Sequence, residues 1–217
     1  VLFRSSRDRL IQRLLSAIGP PSISVDLISA YFIPGAAAVQ RLAEYTARGV
    51  RVRTLTNALE STDVAVVHGG YAPYRRAMIA SGVEVYELRR DGAAKRRFKD
   101  FDLFDLSKAA LHAKGFAIDR KRVFIGSLNF DPRSRLLNTE MGVLIDSPQI
   151  AGEISDWLDD ILPRFAYRLT LTRQNGVIWT GQDATGAATV FQVEPNTTLP
   201  LRLIVAAVRV LPLQWLL

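Results

Sequence analysis

The sequence predicts an α/β fold: a mixed, largely parallel β-sheet flanked by helices on both faces. Three observations carry this expectation. Over residues 22–88, β-rich runs alternate with stretches of helical spacing, which at these lengths means crossover units. Proline and glycine fall between the runs, at Gly19-Pro20-Pro21, Pro34-Gly35, Gly49 and Gly82. Hydrophobic residues make up 48% of the 217 residues, enough to bury a sizeable core.

The elements follow in order. Arg7 to Ile18 carries a helical apolar pattern at Leu10, Ile11, Leu14, Leu15 and Ile18. Ahead of it, Val1-Leu2-Phe3-Arg4-Ser5 reads like a translated sequencing adaptor, so a reading frame cut at its N-terminus is expected. Ser22 to Phe32 is a strand, Ala36 to Arg48 a helix stopped by Gly49, and Val50 to Thr56 a second strand. Asp63 to Ala80 is helical, and Val83 to Leu88 is a third strand. Arg89 to Lys108 then breaks the rhythm. Its basic residues, from Arg89 to Lys99, precede Phe101, Leu103, Phe104 and Leu106, a pairing suited to anionic lipid headgroups. Strands resume at Gly115–Asp119, Val123–Gly126 and Thr139–Asp146, followed by a helix over Pro148–Leu162 and short strands over Tyr167–Val193. Leu199 to Leu217 is apolar except for Arg202, Arg209 and Gln214. The seven-residue spacing of the arginines puts them on one helical face, and Trp215 adds an interfacial anchor. That pattern fits a helix lying in a membrane interface or one docked on the core. The division expected is a catalytic half-domain over residues 1–170 and a C-terminal extension over 171–217.

Composition excludes several chemistries. With no cysteine there is no disulfide, thiolate metal site or cysteine nucleophile. With only two histidines, His68 and His112, a His-rich metal centre is excluded, and neither metal nor cofactor is expected. The net charge of +7 calls for a polyanionic partner, either nucleic acid or an anionic membrane surface. Aromatic residues do not interleave with the basic ones as base-stacking platforms do, which disfavours nucleic acid.

The chemistry concentrates in residues 111–140. His112 and Lys114 share one face of a strand. An imidazole beside an ammonium makes a poor structural pair but a good one for holding an anion against a reactive nitrogen. Gly126-Ser127 ends the next strand and leads into Asn129, Asp131, Arg133 and Ser134, a dense set of donors suited to a phosphodiester. Glu140 is positioned to orient the imidazole through its second N–H.

This stretch resembles the phospholipase D superfamily, whose signature His-x-Lys-x4-Asp followed by Gly-Ser-x-Asn is matched by His112, Lys114, Asp119, Gly126, Ser127 and Asn129. The run Asn129-Phe130-Asp131-Pro132-Arg133-Ser134, with Asn138-Thr139-Glu140, is similar to the cardiolipin synthase branch. So are residues 30–88 and the final Pro212–Leu217. The resemblance implies metal-free phosphatidyl transfer through a phosphohistidine, making cardiolipin from phosphatidylglycerol and a second phospholipid. It further implies that Lys114 and Asn129 bind phosphoryl oxygens, Ser127 adds a hydroxyl, Glu140 orients His112 and Asp119 supports the structure. Two histidines are needed, yet His68 is followed by Gly69-Gly70 and supplies no second motif. The second motif is therefore expected from a missing N-terminal half or from a second chain. The implied location is the inner membrane, peripheral, on the cytoplasmic side. The alternative is a phosphodiesterase or nuclease of the same superfamily acting as a homodimer.

Overall fold

A computed structural model describes residues 9–90, 111–132, 134, 138–183 and 185–210. In chain order the elements are α1 (Arg9–Ile18), β1 (Ser24–Ser29), α2 (Gly35–Ala47), β2 (Arg51–Asn57), α3 (Ala65–Tyr71), a 3-10 turn (Ala72–Tyr74), α4 (Arg75–Ala80) and β3 (Glu84–Leu88). There follow β4 (Lys114–Ile118), β5 (Arg122–Gly126), β6 (Gly142–Asp146), α5 (Pro148–Phe165), β7 (Ala166–Leu171), β8 (Val177–Gln182), β9 (Ala188–Phe191) and α6 (Leu199–Val210). The expectations for residues 1–5, for the basic–aromatic loop beyond Arg90, for Arg133 and for Trp215 lie outside the described residues.

Among the described residues nine strands join one sheet in the order β6-β5-β4-β1-β2-β3-β7-β8-β9. The sheet is mixed, as expected, but not largely parallel. Only β1–β2 and β2–β3 pair in parallel, and the other pairings are antiparallel. Parallel pairs need a crossover, and helices α2 and α3–α4 supply one each. Past Ile118 the charged turn Asp119-Arg120-Lys121 sends the chain straight back, so β4 and β5 form a hairpin. Asp119 and Arg120 both have φ +53°, the left-handed conformation that this tight reversal requires.

Alternating strand residues feed two apolar layers. On one face Val25, Leu27, Val52 and Val85 meet Leu14 and Ile18 of α1, Val39 and Leu42 of α2, and Met78 of α4. On the other, Ile28, Leu55, Leu88, Ala117 and Val123 meet Ala151, Ile154, Leu158 and Ile161 of α5. Helix α5 starts where Ser147 Oγ accepts from Ile150 N at 3.3 Å, with proline in the first turn. Under α5 a buried ion pair fixes β1 to β2. Arg53 Nε donates to Asp26 Oδ1 at 2.6 Å, and Ser155 Oγ donates to Asp26 Oδ2 at 2.6 Å.

Residues 166–191 continue the sheet, and α6 lies across α3. Gly69 makes this close approach possible, since a Cβ there would come within 2.8 Å of Val208 Cγ1. Val205 is buried, whereas Leu199, Leu203 and Ile204 are exposed. Among the described residues no helix is long and apolar enough to cross a membrane.

Antiparallel pairing of β1 with β4 places Ser29 opposite Lys114, and β5 with β6 places Gly126 opposite Gly142. The carboxyl ends of β1 and β5 and the amino ends of β4 and β6 therefore share one rim of the sheet.

Candidate active site

His112 and Lys114 stand on that rim at the start of β4 and line a cleft of about 530 Å³. Gly126 and Ser127 from the end of β5 and Met141, Gly142 and Val143 from β6 form the opposite wall. The wall is tight because it is glycine on both strands. A Cβ on Gly126 would come within 2.5 Å of the Met141 carbonyl, and one on Gly142 would overlap the Phe124 ring. This gives a packing reason for glycine before Ser127.

The imidazole of His112 is exposed and makes no hydrogen bond among the described residues. Lys114 Nζ donates to the His112 carbonyl at 2.8 Å, which folds the ammonium back over the strand start. Burial holds the Lys114 ammonium below its ordinary pKa, while the charges of Glu140, Asp63 and Asp131 pull it back up. Ser127 is locked at three points. Its N–H donates to the Met141 carbonyl at 2.9 Å, its Oγ accepts from Met141 N at 3.1 Å, and its hydroxyl donates to Glu140 Oε2. Glu140 is buried, and its other oxygen accepts from Asn138 Nδ2 at 3.3 Å. Asn129 Oδ1 is buried without a partner. Asp131 Oδ1 accepts from Ser134 N at 2.8 Å.

The sequence places six residues in this chemistry, and the fold brings five to the β4–β5–β6 end: His112, Lys114, Ser127, Asn129 and Glu140. Glu140 differs from expectation in its partners, which are Ser127 and Asn138 rather than the imidazole of His112. Asp119 lies at the opposite end of β4. There its carboxylate accepts from the N–H groups of Ser22, Ile23 and Ser24 and from the Ser22 hydroxyl, at 2.6 to 3.0 Å. Burial is the largest single influence and pushes its pKa up, yet these donors together hold it below its ordinary value. Asp119 thus pins the β4–β5 turn to the start of β1.

His68 lies elsewhere. Arg75 donates to His68 Nε2 at 2.6 Å, to Glu87 at 2.7 Å and to Glu194, and Trp179 Nε1 donates to Glu87 at 2.9 Å. Ligand atoms of His68, Glu87 and Glu194 come within 4.8 Å of one another. A guanidinium already occupies the space between them, so the group is an ion-pair network and not a cation cage. Tyr31 and Asp63 were not singled out by the sequence. Tyr31 OH donates to Asp63 Oδ2 at 2.8 Å, and Asp63 acts electrostatically on Lys114. Tyr31 reads only as the end of a strand and Asp63 as the start of a helix, so no local signal marks them.

An exposed imidazole, an ammonium and the Gly126-Ser127 turn thus line one cleft at the rim of a helix-covered mixed sheet. Residues 14–162 match the family described as cardiolipin synthase, PLD-like domain, and the chain belongs to that family. It is 42% identical over 208 residues to cardiolipin synthase C of Escherichia coli strain K12, covering 96% of this chain and 44% of that protein. The chain thus spans less than half the length of that relative. Among solved structures it resembles Nuc, a phospholipase D family member from Salmonella typhimurium, with TM-score 0.55, 19% identity, and 74% and 91% of the two chains covered. It also resembles phosphatidylserine synthase of Haemophilus influenzae, with TM-score 0.58, 14% identity, and 95% and 44% covered. These two likenesses concern the fold.

Proposed function

We propose that this chain carries one half of the active site of a cardiolipin-forming phosphatidyltransferase, the other histidine coming from a second motif elsewhere in the protein or in a second chain. The observation that carries this reading is the meeting of His112, Lys114 and the Gly126-Ser127 turn at one cleft in a chain of the cardiolipin synthase family.

In this mechanism a histidine nitrogen attacks the phosphorus of the donor lipid. The phosphorus–oxygen bond to the headgroup breaks, and the departing oxygen takes a proton from the other imidazole. The acceptor hydroxyl then returns its proton to that imidazole and attacks phosphorus, and the phosphorus–nitrogen bond breaks. We assign His112 the acid–base part. Lys114 holds a non-bridging oxygen as an ammonium, and the Asn129 amide holds another. The Ser127 hydroxyl donates to phosphate only after turning away from Glu140. Phosphatidylglycerol is the acceptor, and the donor is phosphatidylglycerol or phosphatidylethanolamine.

Residues 171–217 act as the membrane-facing extension of the half-domain. Helix α6 presents Leu199, Leu203 and Ile204 to solvent, and its sequence holds arginines but no acidic residue. Such a face suits an anionic bilayer surface, peripheral and on the cytoplasmic side of the inner membrane.

The test is His112→Ala in the complete protein, assayed on phosphatidylglycerol vesicles with cardiolipin read by mass spectrometry. A fall of about 10²–10⁴-fold is expected. Unchanged cardiolipin output overturns the mechanism, and metal-independent DNA cleavage by the wild type in its place supports the homodimeric phosphodiesterase.

A further inference from the structure

Lys114 has one strand on each side. Toward β5 lies the cleft with His112 and Ser127. Toward β1 lie Tyr31 and Asp63. The β1–β4 register pairs Ser29 with Lys114, and Ala30 N donates to the Ala113 carbonyl at 3.1 Å. Beyond Ala30 the ladder ends and the chain turns toward Phe130, to which Phe32 makes a parallel bridge. The backbone of Tyr31 is held in place because its carbonyl accepts from Ser29 Oγ at 2.6 Å, and the same hydroxyl accepts from Phe130 N at 3.3 Å.

The Tyr31 hydroxyl gives its proton to Asp63 Oδ2 at 2.8 Å. Asp63 is exposed, and its second oxygen has no hydrogen-bond partner among the described residues. The phenol oxygen, its proton spent on Asp63, still offers lone pairs. Two acceptors thus sit side by side, close enough to Lys114 for the Asp63 charge to act on its ammonium. The phenol keeps its proton through neutral pH, because burial and Asp63 push it up to about 12.

We propose that Tyr31 and Asp63 form a subsite for vicinal hydroxyls, and that it holds the glycerol headgroup of the acceptor lipid beside Lys114. This rests on the phosphatidyl-transfer reading above. A carboxylate repels the phosphate of the donor, so that end of the lipid belongs to Lys114 and the Asn129 amide. What a carboxylate and a phenol oxygen attract is an O–H donor, and two adjacent acceptors match two adjacent hydroxyls. Lys114 stands between the two sides and can hold phosphate while the acceptor waits next to it. An ammonium headgroup is the other ligand that this pair could draw, since it too can donate to both acceptors, and the experiment below separates the two.

The experiment uses the complete protein with Tyr31→Phe and Asp63→Asn, phosphatidylglycerol as donor, and deuterated glycerol and ethanol competing as soluble acceptors, so that the labelled product is told from the donor by mass. The readout is the ratio of glycerol-derived to ethanol-derived phosphatidyl product, together with the ratio of cardiolipin to phosphatidic acid. Each variant should lower both ratios about tenfold, the worth of one hydrogen bond to a charged or oriented group. Ratios equal to those of the wild type in a protein of unchanged melting temperature overturn the subsite. Slower ethanolamine release from phosphatidylethanolamine, with both ratios unchanged, also overturns it and assigns the pair to the donor headgroup. A wild-type protein that forms no phosphatidyl product from any acceptor defeats the transferase reading itself, a different result from an unchanged ratio.

Discussion

The hydroxyl of Ser127 donates to the carboxylate of Glu140 and accepts the N–H of Met141 at 3.1 Å. One side chain therefore fastens the end of β5 to the start of β6, and Glu140 acts on the cleft through Ser127 and through its charge. That charge raises the Lys114 pKa against burial. Glu140→Gln should keep the shape and remove this support, so the Lys114 pKa falls further. Activity that needs the ammonium is lost as pH rises through that pKa, so the alkaline limb of the rate profile should begin at lower pH in the variant. At neutral pH the loss should be about tenfold. A profile displaced toward higher pH contradicts this role.

Asp119 is expected to matter for stability and not for chemistry. Its pKa is lowered in the folded protein, so its contribution is full above the unfolded value of about 3.9 and disappears as pH falls through the folded value. Asp119→Ala should cost about 1–2 kcal/mol, discounted for its exposure to solvent. Urea unfolding of the complete protein at neutral pH and near pH 3 reads both the cost and its disappearance.

Gly126→Ala is expected to damage the cleft directly. The new methyl would come within 2.5 Å of the Met141 carbonyl and 2.8 Å of Gly142 Cα, both backbone atoms that cannot rotate away. Separating β5 from β6 should cost about 1–3 kcal/mol and misplace Ser127. Thermal melting and activity per folded molecule should both fall.

Arg75→Ala should be the most destabilising of these substitutions. It leaves Glu87, which is 0% exposed, with the Trp179 N–H but no opposing charge, and takes the guanidinium away from His68 and Glu194. The expected cost is about 3–5 kcal/mol. His68→Gln keeps an acceptor for Arg75, so activity per folded molecule should hold near the wild-type value. A selective loss of turnover in that variant would instead place His68 in the chemistry.

Leu203→Glu probes the outer face of α6. Leu203 is 60% exposed, so the fold should tolerate the change. Sedimentation with anionic vesicles should show binding weakened by about tenfold or more, since one apolar contact is lost and a repelling charge is gained.

The order of elements was legible because apolar periodicity and breakers are local signals. Leu10 to Ile18 and Val50 to Thr56 fold as their spacing requires. Strand direction was less legible, because it depends on whether a helix fits between neighbours. The Asp119–Lys121 turn leaves no such room, and β5 runs antiparallel. That His112, Lys114 and Ser127 meet at one cleft was readable from spacing along two adjacent strands. The partner of Glu140 was not, because Asn138 and Ser127 compete for its oxygens only once β6 is in place. Tyr31 and Asp63 lie 32 residues apart and meet only through the packing of α3.

The buried pair of Asp26 and Arg53 has a consequence for assembly of the sheet. The two are direct register partners in β1 and β2, and α5 adds Ser155 and Asp159 to them. Sliding one strand by a single residue turns one member of the pair to the opposite layer and leaves two charges in apolar surroundings without partners. A hydrophobic pair would tolerate such a slip far better. Asp26 and Arg53 therefore act as a check on alignment during folding. A mispaired sheet would bury both charges unpaired once α5 closed over it, so the rim that carries His112 and Lys114 is built on a frame with one favoured alignment.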